Sequence, residues 1–137
     1  MLSRAWELKY SNPKRSIQYT DEAIRLASKN NFDKQKAGAF YYKSIIYYLT
    51  SKYDSAIMFS EDALKIYLQL NDTYGVASIY NMRGLVGEKI GDYEKAISDY
   101  HQSLAFASKT DNLYGQSNPL HNIGLIYSKT RDHKQAL

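Results

Sequence analysis

Apolar residues recur along this chain three and four positions apart. From 93 to 109 they are Tyr93, Ala96, Ile97, Tyr100, Leu104 and Ala107, the spacing of a helix with one buried face. Segment 53–70 repeats the pattern with Tyr53, Ala56, Ile57, Ala63, Leu64 and Tyr67, and the stretch between carries Ile79, Met82, Val86 and Ile90. Strand-like alternation and hairpin turn dipeptides are not evident. The spacing predicts helices over 2–10, 13–30, 33–50, 53–70, 73–90, 93–109 and 113–129, with another starting at 132, and no sheet.

The punctuation agrees with those limits. Asn12-Pro13 sets a capping side chain before a proline at the first helical position. Gly91-Asp92 ends one helix and caps the next, Asp132 with Gln135 has capping-box spacing, and Asn118-Pro119 starts or kinks the last full helix. Turns such as Ser51-Lys52 are short, so consecutive helices must run antiparallel.

The chain also aligns with itself, without gaps, at a period of 40 residues. Ser16, Ala56, Ala96 and Ala136 share a column, followed by Ile17, Ile57, Ile97 and Leu137. Ala23, Ala63 and Ser103 share another, as do Ser44, Gly84 and Gly124, and Ile46, Val86 and Ile126. Tyr74-Gly75 matches Tyr114-Gly115. Small residues at these places let two helices approach closely, while the large ones beside them fill the space between neighbouring units. A helix pair that cannot bury its own apolar faces must stack on another pair.

This arrangement of small and apolar positions resembles the tetratricopeptide repeat, most closely in "GDYEKAI" (91–97) and "NIGLIYSKTRDHKQAL" (122–137). The resemblance implies an all-α, right-handed superhelical solenoid of antiparallel helix pairs. Its organisation would be a single array over 1–137: the second helix of a first repeat at 11–30, repeats at 33–71 and 73–111, and an incomplete repeat at 113–137. The usual unit has about 34 residues and a proline near its end. The 40-residue form without that proline is similar to arrays in bacterial signalling proteins, especially sensor histidine kinases and related regulators.

Composition narrows the chemistry. The 18 Lys and Arg are interleaved with 14 Asp and Glu, so the net charge of +4 reads as a mixed solvated surface, and nucleic acid is not an expected partner. The chain has no cysteine, which excludes disulfides, thiolate metal sites and cysteine nucleophiles, and leaves the compartment open between cytoplasm and periplasm. The longest apolar run, Ile45 to Leu49, is too short to span a bilayer, and no membrane contact is expected of this segment. His101, His121 and His133 have no metal-ligand spacing. Gly84, Gly87 and Gly91 do not form a phosphate loop. No enzyme activity, cofactor or metal is expected.

What remains is a surface. By the resemblance, the first helices of successive repeats line a concave groove, here through Tyr41, Ile45, Tyr48 and Leu49, then Asn81, Leu85, Glu88 and Lys89, then His121, Leu125, Ser128 and Lys129. That face is aromatic at one end and more polar at the other, which suits a protein or peptide with an apolar anchor and an acidic feature. Tyr41 and Tyr48 have a second reading, as core rings against the preceding helix. Lys43 and Arg83 occupy a column that Ile123 fills with an aliphatic side chain; they either snorkel or form a basic rung. The implied function is peptide binding in the sensory or regulatory part of a larger bacterial signalling protein; a general scaffold or co-chaperone adaptor is the alternative. Leu137 stands about two turns into a helix, so a piece of a longer protein is expected. Its uncovered stripe of Leu120, Ile123, Ile126 and Tyr127 would fray or form a homodimer through the C-terminal helices.

Overall fold

A computed structural model describes residues 2–109. It contains α1 (Leu2–Leu8), α2 (Pro13–Lys29), α3 (Asp33–Leu49), α4 (Tyr53–Gln69), α5 (Thr73–Ile90) and α6 (Tyr93–Ala107), and no strand among the described residues. The expected limits hold to within two residues at every end. The helix expected over 113–129 and the start at 132 lie outside the described residues, as do Asn118-Pro119 and the Asp132–Gln135 box.

Four of the described helices, α2 to α5, end by one repeated device. Asn31, Ser51, Asn71 and Gly91 stand 20 residues apart, each in the left-handed region, at φ of 57°, 62°, 53° and 84°. In each case the next residue's N–H reaches back to the last turn: Phe32 to the Ala27 carbonyl, Lys52 to Tyr47, Asp72 to Tyr67 and Asp92 to Gly87, at 2.8 to 3.0 Å. This is the Schellman closure, which satisfies carbonyls that a helix end leaves without partners. Only Gly91 among the four was legible in advance. Asn tolerates the left-handed region through its short polar side chain, whereas Ser51 holds it against its own preference. At the helix starts, Asn12 and Asp92 each accept a backbone N–H, from Arg15 and Lys95.

The chain divides into two compact units, Met1–Asp72 and Thr73–Leu137. In the first, α1 packs on α2, α2 on α3, and α3 on α4. Ser44 Oγ donates to the Ala56 carbonyl at 2.7 Å, and Gly38 lies nearest the Tyr67 hydroxyl. Contacts that climb α4 as they descend α3 show the pair to be antiparallel. In the second unit α5 pairs with α6 in the same sense: Gly87 meets Ala96, Gly84 meets Tyr100, and Ser103 Oγ donates to the Ala77 carbonyl at 2.7 Å.

The columns of the repeat explain an exchange between the units. Ser44 and Ser60 become Gly84 and Tyr100, one place shrinking where the other grows. A Cβ on Gly84 would run into the Tyr100 ring, which is fully buried there. Gly87 is similarly constrained, with a Cβ 3.2 Å from the Ala96 backbone. Alanines stand at the crossings, Ala5, Ala37, Ala56, Ala63, Ala96 and Ala107, all buried, and Ile46, Val76, Ile79, Met82 and Val86 fill the core beside them.

Candidate functional site

Tyr41, Ile45, Tyr48 and Leu49 fall within one side of α3, as helical periodicity requires, and all four are half-buried. They belong to a longer aromatic surface. The Tyr41 ring lies 6.3 Å from Tyr42, and Tyr42 lies 5.6 Å from Trp6 on α1. Trp6 is 45% exposed, and the Lys9 ammonium sits 3.5 Å from its ring centre, within cation–π range. At the other end of α3, Tyr48 stands 6.1 Å from Tyr53, the first residue of α4. Both tyrosines therefore lean on aromatic neighbours while keeping part of their surface in water.

Trp6, Tyr42, Lys9 and Tyr53 were not among the expected site residues. The repeat columns carried no signal for Trp6, which stands 40 before buried Ile46; its meeting with Tyr42 depends on α1 lying beside α3.

The second unit treats its four expected residues differently. Leu85 packs against buried Ala96 and Tyr100, and Glu88 accepts a hydrogen bond from the Tyr100 hydroxyl at 3.1 Å. Both are engaged with α6. Asn81 is half-buried and Lys89 exposed. His121, Leu125, Ser128 and Lys129 lie outside the described residues.

Lys43 and Arg83 do different things in one column. The Lys43 ammonium donates to Asp21 Oδ1 at 2.6 Å and lies 4.0 Å from the Phe59 ring centre, with only 12% of its side chain exposed. It is a clamp between α2 and α4 and does not snorkel. Arg83 lies 5.6 Å from the Tyr80 ring and carries a buried Nε with no hydrogen-bond partner among the described residues. Asp99, in the Phe59 column, is 7% exposed, and its Oδ2 likewise lacks such a partner. Burial pushes the Asp99 carboxyl above its usual range, while the charges of Arg83 and Lys95 pull it down.

No group of His, Cys, Asp and Glu among the described residues could hold a metal ion, and no described helix is long and apolar enough to cross a membrane. The site offers aromatic area with a cation, Lys9, beside it.

The comparisons follow the same lines. Residues 75–137 match the family model described as tetratricopeptide repeat, so the pattern continues in sequence past the described residues. The crystal structure of BtubC (BKLC) from P. vanneervenii matches with a TM-score of 0.76 at 18% identity, over 93% of this chain and 53% of that one. The chain thus spans about half the length of that structure, and at this identity the likeness speaks for the fold. No curated protein matches the sequence. A fold of this kind is generally a non-catalytic scaffold for protein interaction. The repeating helix pairs, the match of residues 75–137 to the tetratricopeptide-repeat model and the structural likeness agree on an all-α helical-repeat fold of tetratricopeptide type.

Proposed function

We propose that the chain is a protein- or peptide-binding module whose contact surface centres on Trp6, Tyr41, Tyr42, Ile45, Tyr48 and Leu49. The observation that carries this reading is the row of partly exposed aromatic rings from Trp6 through Tyr42 to Tyr41, continued by Tyr48 and Tyr53. Large, stiff rings with a polar tip bury much area at low entropic cost, and they dominate binding energy where they recur. Within the second unit, Asn81 and Lys89 are the polar positions left for contact, and the repeats run as 33–71, 73–111 and 113–137. The parent is a bacterial signal-transduction protein in which this array is the sensory or regulatory segment; the 40-residue period supports that placement. A scaffold without a signalling role would use the same surface.

The test is partner binding by Tyr41→Ala and Tyr48→Ala, measured beside their melting temperatures. Each is expected to weaken binding by more than about 1 kcal/mol with little change in melting, as for aromatic anchors. Loss of stability with unchanged affinity would make the rings core and overturn the reading. The apolar pattern of Leu120, Ile123, Ile126 and Tyr127 supports self-association as well, to be read from sedimentation at increasing concentration.

A further inference from the structure

On the side of α3 away from Tyr41 and Tyr48, the first unit holds a cleft of about 560 Å³. Its walls are the first turns of α2, through Pro13, Lys14, Ile17 and Gln18, and the last turn of α3 with the turn after it, through Ile46, Tyr47, Thr50 and Lys52. The volume is that of a side-chain or small-ligand pocket. Pro13, Ile17, Ile46 and Tyr47 make an apolar floor, and the Tyr47 ring is fixed by stacking on Phe59 at 5.5 Å.

The charge around this floor has one sign. Lys14 and Lys52 stand at its rim, both exposed, and neither ammonium has an ion pair among the described residues. No acidic residue lines the cleft. The opening also lies at the N-terminal end of α2, where the helix carries partial positive charge. Three other cations of this unit are paired, Lys43 with Asp21, Arg25 with Glu22 and Arg4 with Glu7, and none of them lines the cleft.

We infer that this cleft is a second docking site, taking an acidic peptide segment that sets one large apolar side chain on the floor between two flanking carboxylates. Lys14 receives one carboxylate and Lys52 the other, while Ile17, Ile46 and Tyr47 enclose the apolar side chain. The site is separate from the aromatic surface proposed above, so either can fail without the other.

The probe is the peptide acetyl-Asp-Asp-Leu-Phe-Asp-Asp-amide, titrated into the isotope-labelled chain and followed by amide resonances. Its counterpart has Lys in place of each Asp. The acidic peptide is expected to shift Lys14, Gln18, Thr50 and Lys52, and to lose at least tenfold in affinity when salt is raised from about 0.05 to 0.5 M. The Lys14→Glu, Lys52→Glu double variant, at two exposed positions, is expected to abolish those shifts while melting like the parent; Tyr41→Ala is expected to leave them. Equal binding of the basic peptide, shifts confined to the Tyr41 and Tyr48 side, or no shift up to millimolar peptide would each overturn the inference.

Discussion

Two glycines show how differently one residue type can constrain this fold. Gly91 has positive φ and open space around its missing Cβ, so Gly91→Ala meets only the backbone penalty, about 1 kcal/mol. Ser51 occupies the equivalent turn without that freedom, and Ser51→Gly is expected to stabilise by up to about 1 kcal/mol. Opposite shifts in urea midpoint would confirm the pair; shifts of the same sign would refute it. Gly84 is constrained by a neighbour instead. Gly84→Ser should cost about 2 kcal/mol, because the Tyr100 ring has no room to retreat. Combining it with Tyr100→Ser places at these two columns the residues that the first unit carries there, Ser44 and Ser60. The double variant should then be more stable than the summed single losses by at least about 1 kcal/mol, and simple additivity would show that the two columns are not coupled.

Asp99 adds a pH dependence whose sign follows from its raised pKa. The folded chain holds this proton more tightly than the unfolded one. The contribution therefore favours folding fully below the ordinary carboxyl value of 3.8, and is lost as pH rises through the folded value. Asp99→Asn removes the titration. The stability difference between variant and parent should move in the variant's favour as pH rises from about 3 to 6. A flat difference across that range would mean that Arg83 cancels the burial.

At the scale of elements, α3 is held on both sides by one lysine. Lys43 reaches Asp21 on α2 and the Phe59 ring on α4, and its side chain is mostly buried while that of Asp21 is 51% exposed. Asp21 stays solvated if its partner is removed, so the packing of the lysine stem matters more than the ion pair. Lys43→Ala is expected to cost about 1 to 2 kcal/mol and Lys43→Met well under half of that. Equal losses in the two variants would assign the energy to the charge. By contrast, α1 is weakly held: it has seven residues and buries only Ala5, whose carbonyl accepts from the Ser16 hydroxyl. Its amides should exchange with solvent well before those of α3 and α4.

For the molecule as a whole, neighbouring helices supply most of the contacts, which is how a repeat array distributes its stability. The two proposed docking surfaces are faces that helix packing leaves partly uncovered. In the first unit these are the aromatic row on one side of α3 and the basic, apolar cleft on the other. A partner that uses the aromatic row should respond to Trp6→Ala as well as Tyr41→Ala, because Tyr42 joins the two rings. Binding that is sensitive to Tyr41 and indifferent to Trp6 would confine the surface to α3.

Among the described residues, helix number and limits, and antiparallel order within each unit, could be read in the sequence alone, because they rest on local causes. Apolar spacing, the Asn12-Pro13 and Gly91-Asp92 punctuation, and the 40-residue columns each act within a few residues or repeat in register. The left-handed conformations of Asn31, Ser51 and Asn71 were less legible, since these residues adopt that region only when a helix end and the next helix start demand it. Other features belong to the tertiary structure. The fit of Gly84 to Tyr100, the engagement of Leu85 and Glu88 with α6, the seat of Lys43 and the meeting of Trp6 with Tyr42 all join side chains on different helices. A helical period says which residues share a face, and only the approach of a second helix decides which of them it touches.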